Sequence, residues 1–137
     1  MRNNRIKFGM VLSALLLTLL ACSFSASTAK IQSAKMARDY DGNQPTTIFS
    51  QDEVFYCVVE LANAPDDTTV MASWFAVEVE DVDPNTFIDE TELSTGSGSL
   101  HFELSNNGLW PTGKYAVQVY LNGELQQTLE FIVQQEE

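Results

Sequence analysis

The chain has 137 residues, 19 acidic and seven basic, with a single histidine and a formal charge of −12 at neutral pH. That length suits one domain. The acidity argues against nucleic acid and anionic headgroups as partners, and one histidine rules out histidine-rich zinc ligation.

Arg2, Arg5 and Lys7 head an apolar stretch from Phe8 to Leu20. A helix of about 13 residues covers about 20 Å, short of the roughly 20 residues needed to cross a bilayer core, so the stretch reads as a cleaved export signal. Leu19-Leu20-Ala21-Cys22 resembles the processing box of bacterial envelope lipoproteins. The resemblance implies a signal peptide over residues 1–21 and a diacylglycerol on the Cys22 thiol. The protein would then be anchored to the cell membrane or outer membrane, outside the cytoplasm, with two or three acyl chains holding where one binds only marginally. The alternative is cleavage after Ala26 or Ala29, which gives a secreted product. Residues 22–29 are small and polar, as expected of a flexible tether. All 19 acidic residues follow Cys22 and three of the seven basic ones precede it, so the 116 residues from Cys22 onward carry 19 acidic against four basic groups, a formal −15. With Cys22 lipidated, Cys57 stands alone, no disulfide framework exists, and stability rests on a packed core. Within Val54-Phe55-Tyr56-Cys57-Val58-Val59 the thiol reads as buried and inert.

From residue 30 onward apolar residues alternate with period two, and no long stretch keeps a helical period. Strands are expected over 31–37, 54–61, 69–79, 86–93, 100–104, 115–121 and 125–133. Ala64-Pro65-Asp66-Asp67, Asp83-Pro84-Asn85, Thr95-Gly96-Ser97-Gly98-Ser99 and Asn106-Asn107-Gly108 supply turn chemistry between them. In the fifth, Leu100, Phe102 and Leu104 share a face opposite His101 and Glu103. Asn122-Gly123 is the pair preferred by a two-residue type I′ hairpin, so the last two strands are antiparallel. Tyr115, Val117, Val119 and Leu121 then face inward against Leu129, Phe131 and Val133. A bulge near Gln126-Gln127 reconciles the two halves of the last strand.

About seven short antiparallel strands over residues 30–137 predict an all-β, two-sheet sandwich. Cys57 in the second strand, Trp74 in the third and Gly113-Lys114-Tyr115-Ala116-Val117 at the start of the sixth resemble an immunoglobulin-like domain, the last segment looking like its tyrosine corner. Val117 stands where such domains place a second cysteine, so the inter-sheet disulfide is absent. The resemblance implies a core position for Trp74. Simple alternation from Glu78 and Glu80 puts it on the surface unless a bulge intervenes.

Three groups of residues are candidates for chemistry. An aromatic face of Trp74, Tyr120 and Ile132 suits protein contact or sugar stacking, with Trp110 either adding to a loop-end site or packing over the sandwich end. The run from Asp81 to Glu92 resembles a twelve-residue calcium loop, offering Asp81, Asp83, Asn85, the Phe87 carbonyl, Asp89 and Glu92 as oxygen donors. Thr86 stands where that loop needs glycine, and the other reading of the run is a solvated acidic hairpin. His101 beside Glu103 reads as a lone exposed imidazole, and neither a serine nor a cysteine nucleophile has a partner set. The expectation is therefore an exported, lipid-anchored, non-catalytic binding or assembly module of the cell envelope with a protein partner and no resident cofactor. A calcium-responsive or carbohydrate-binding surface module is the alternative, and a hydrolase has the least behind it.

Overall fold

The structure, a computed structural model, describes residues 28–136, so the export signal, Cys22 and the tether through Ser27 lie outside the described residues. In chain order the strands are β1 Lys30–Ala37, β2 Ile48–Ser50, β3 Phe55–Ala62, β4 Thr68–Val79, β5 Thr86–Thr95, β6 Gly98–Leu104, β7 Gly113–Leu121 and β8 Glu124–Gln134. They form two sheets, β1-β3-β6 and β2-β8-β7-β4-β5. Every pairing is antiparallel except β2 with β8, which is parallel. The seven expected strands correspond to β1 and β3 to β8. The eighth strand, β2, was not expected, because its three residues are too short to show alternation.

The core lies between the sheets, where Phe55, Cys57, Val59 and Leu61 of β3 face Val70, Ala72, Trp74 and Ala76 of β4 and Tyr115, Val117 and Val119 of β7, all buried. Each fully buried Val, Leu or Phe contributes about 1.5–3 kcal/mol, which lets a domain without a disulfide hold together. Cys57 is a free, buried thiol, and burial pushes its pKa up to about 12. The β7–β8 turn has positive φ at Asn122 (49°) and Gly123 (84°), as a type I′ turn requires. Asn122 also ties the hairpin to the start of β4: its N–H donates to the Thr69 carbonyl at 2.9 Å, and its side-chain oxygen accepts the Thr69 N–H at 3.0 Å.

Bulges decide which residues face inward. Gln126 is unpaired between Val119↔Gln127 and Tyr120↔Leu125, at the place the alternation demanded. Val77 is likewise extra between Ala76↔Tyr115 and Glu78↔Lys114. That one inserted residue flips β4, so Trp74 and Ala76 point inward on one side of it and Val79 on the other, while Glu78 stays in water.

One end of the sandwich is closed by Trp110. Its ring stacks on Phe55 at 4.7 Å, its indole N–H donates to the Glu53 carbonyl at 3.0 Å, and its backbone N–H donates to the Gln51 carbonyl at 2.8 Å. Beside it the Tyr115 hydroxyl donates to the Pro111 carbonyl at 2.6 Å, the upstream bond of a tyrosine corner. Gly113 opens β7 at φ 146° against β4, and a side chain there would come within 2.7 Å of the Val79 Cα.

Candidate functional site

Register places a row of side chains across the outer face of the five-stranded sheet. Phe87 of β5 lies opposite Phe75 of β4, Phe75 opposite Ala116 of β7, and Ala116 opposite Glu130 of β8. The two phenylalanine rings meet edge to face at 5.8 Å, and Phe87 is 52% exposed. Ala116 carries only a methyl group, so the row dips between Phe75 and Glu130. The resulting depression of about 320 Å³ is floored by Ala116 and walled by Phe75 and Val77, with Gln118, Thr128, Glu130 and Asn85 on its rim. The next row is polar. The Ser73 hydroxyl donates to a Glu90 carboxylate oxygen at 3.0 Å, and the Tyr120 hydroxyl donates to the Gln118 side-chain oxygen at 2.9 Å. Beyond it Met71 lies opposite Tyr120 on one side and Glu92 on the other. At the far corner Ile132 and its parallel neighbour Ile48 are 46% and 45% exposed. A rigid ladder thus presents exposed apolar rings around a dent with a polar rim, the arrangement of a contact surface.

The face is acidic. No Lys or Arg occurs between Asp39 and Gly113. Lys114 is 4.0 Å from Glu130, and both side chains are largely exposed, so that pair adds little.

Tyr120 and Ile132 lie on this outer face. Trp74 does not: it is 1% exposed and sits edge-on to Phe131 at 6.1 Å, because the Val77 bulge inverts the alternation that had placed it outside. Phe75 occupies the surface position instead. Trp110 is 7% exposed and belongs to the sandwich end, not to an accessible loop site.

The calcium reading is also corrected. Asp81, Asp83 and Asn85 sit in the β4–β5 turn, where the Thr86 hydroxyl donates to the Asp83 carbonyl at 2.6 Å. Phe87, Asp89 and Glu92 instead belong to the extended strand β5, with Asp89 paired to Trp74 and Glu92 to Met71. Six strand steps separate Thr86 from Glu92, about 20 Å at the rise of a strand, so these donors cannot converge on one ion. Among the described residues no group of three or more His, Cys, Asp or Glu could hold a metal.

His101 stands on the outer face of the other sheet and has a partner that the sequence did not signal. Its ring stacks on Tyr40 at 4.1 Å, and its Nδ1 lies 2.7 Å from the Tyr40 carbonyl oxygen. A carbonyl can only accept, so Nδ1 carries the proton. Tyr40 is delivered by the β1–β2 loop. Burial raises the pKa of Asp39 in that loop, but the N–H groups of Asn43 (2.9 Å) and Gln44 (2.8 Å) and the charge of Lys35 outweigh it, so the carboxyl lies below its usual value.

No protein-family model matches the chain, and no curated protein sequence matches it. Solved structures do. An immunoglobulin-like protein from Pseudomonas aeruginosa is 15% identical with a TM-score of 0.53, over 80% of this chain and 99% of that one. The alkylpurine DNA glycosylase AlkC from Pseudomonas fluorescens is 16% identical with a TM-score of 0.50, over 82% of this chain, which spans only 32% of the glycosylase. A β-glucosidase from Listeria innocua is 16% identical with a TM-score of 0.50, over 79% of this chain and 16% of the enzyme. At such identities the likeness is one of fold, and the fold is an immunoglobulin-like β-sandwich.

Proposed function

We propose that the chain is an exported, lipid-anchored, non-catalytic binding module that captures an envelope or extracellular protein on the outer face of its five-stranded sheet. The observation that carries this reading is the Phe75–Phe87 pair beside the Ala116 depression: exposed aromatic surface on a rigid ladder, at a place where the core gains nothing from it. The non-catalytic reading is supported by the single histidine, which is engaged with Tyr40, and by the Cys57 thiol, which is buried with its pKa pushed up to about 12. The anchor rests on the Leu19-Leu20-Ala21-Cys22 box. A sugar ligand is the second reading, favoured by Gln118, Thr128 and Glu130 on the rim beside the Phe75 ring.

The test is a photoreactive phenylalanine analogue placed at position 87 of the full-length chain in native envelopes, with the same analogue at Leu109, also exposed, as the control. A discrete protein adduct from position 87 and none from position 109 supports the reading. No adduct from 87, or equal adducts from both, refutes it. Mass spectrometry of the purified N-terminus decides the anchor: an acylated Cys22 is expected, and an unmodified N-terminus at Ser27 or Lys30 would remove it.

A further inference from the structure

We infer that the open edge of β5 takes up an extended, lysine- or arginine-bearing segment of the partner as an added strand. This rests on the sheet face being a protein-binding surface, and it names the chemistry of what binds there. β5 is the last strand of its sheet. Thr69 directs its backbone groups towards the β7–β8 hairpin, exchanging bonds with Asn122. Met71 and Ser73 follow with period two, leaving Val70, Ala72 and Trp74 to bond β5 through Leu93, Thr91 and Asp89. Glu90, Glu92 and Ser94 therefore turn their N–H and C=O groups away from β4, to the open side. The Glu90 N–H fits this direction, donating to the Asp89 side-chain oxygen at 2.8 Å.

An added strand would bond to this edge and lay alternate side chains on the outer face beside Glu90 and Glu92, with Phe87 further along the same strand. The charge selects the occupant. The ion pairs found among the described residues are Arg38–Glu53 and Lys114–Glu130, so Glu90 and Glu92 stand on the outer face with no cation paired to them. Like charges directly across a ladder repel, which disfavours a second copy of this edge, and opposite charges attract, which favours a basic strand. The other edges suit the role less. β2 has three residues, β1 is interrupted at Gln32 and carries Lys30 and Lys35, and β6 belongs to the other sheet, away from the Phe75–Phe87 face. Only β5 combines a regular ladder from Asp89 to Thr95 with the aromatic face.

The experiment measures amide exchange of the full-length chain with a synthetic peptide of alternating lysine and valine, and with the same peptide N-methylated on its pairing edge. The unmethylated peptide is expected to slow the Glu92 and Ser94 amides by about tenfold or more. Glu92→Gln is expected to weaken its binding roughly two- to five-fold, the size of one cross-strand charge pair. The methylated peptide, equal in charge, is expected to give no protection. Equal binding of both peptides would overturn the inference by reducing it to charge alone. Absence of binding, or protection confined to β1 or β6, would overturn it as well. A position-87 adduct that forms while the Glu92 and Ser94 amides stay unprotected would retain the binding face and remove the added strand.

Discussion

Replacing Trp74 with alanine separates the two ways of reading β4. Trp74 is 1% exposed and packs edge-on against Phe131, 6.1 Å between ring centroids. A tryptophan buries roughly 150–250 Å², and deletion of such a ring costs about 3–5 kcal/mol once the cavity is included. A small domain has about 5–15 kcal/mol in all, so Trp74→Ala is expected to fold marginally, with a Tm lowered by roughly 15–25 °C. Trp74→Phe keeps much of the volume and should lose less. Phe87→Ala removes a ring that is 52% exposed and loses the edge-to-face contact with Phe75, so it should cost about 1–2 kcal/mol, well short of Trp74→Ala. Thermal unfolding of the three variants by circular dichroism reads all of this out. A Trp74→Ala chain that melts within a few degrees of the parent would place the indole in solvent and refute the Val77 bulge. So would a Phe87→Ala chain that loses more than Trp74→Ala.

Four further outcomes follow from the packing. Gly113→Ala drives a Cβ towards the Val79 Cα at 2.7 Å and forces an L side chain to φ 146°, so urea unfolding should show a loss of about 2 kcal/mol or more. Tyr115→Phe strands the Pro111 carbonyl and should cost about 1–2 kcal/mol in the same assay, while leaving the fold intact. Ala116→Leu fills the depression from outside the core, and is expected to leave the Tm within a few degrees of the parent while abolishing the photo-adduct at position 87. Burial pushes both the Cys57 thiol and the Tyr115 phenol up to about 12, from ordinary values of 9.0 and 10.0. The unfolded chain releases these protons first, so their contribution is complete below about pH 9 and is lost as the pH rises from there towards 12. Urea midpoints against pH should fall across that window, and Cys57→Ala should flatten the fall.

Much of the fold is local enough to read along the chain. Asn122-Gly123 determines its own turn, Leu100, Phe102 and Leu104 can share only one face of a short strand, and the mismatch between the two halves of β8 required an extra residue near Gln126, where it lies. Tyr115 is legible because its hydroxyl partner, the Pro111 carbonyl, is four residues away. The candidate site was harder to read, for a physical reason. Val70 to Val77 is apolar on both faces except at Ser73, so inside and outside depend on where β4 bulges, and that is fixed by its pairing with Lys114 and Tyr115 some forty residues later. Trp74 and Phe75 exchanged faces on that single residue. The calcium spacing from Asp81 to Glu92 failed because it counts residues without their rise: in a loop the donors fold back, and in β5 they spread apart. Tyr40 on His101 and the three residues of β2 have no periodic signal, since each is held by contacts far away in sequence.

The central claim is that the outer face of β5, β4, β7 and β8 is the surface the protein works with, and hydroxyl-radical footprinting of the full-length chain tests it most directly. Purified protein should oxidise readily at Phe87 and Tyr40, both more than half exposed, while Trp74 stays protected. In native envelopes Phe87 and Met71 should lose most of their reactivity while Tyr40, in the β1–β2 loop against the opposite sheet, keeps its own. Phe87 reacting equally in both settings, or protection appearing at Tyr40 instead, would contradict the account.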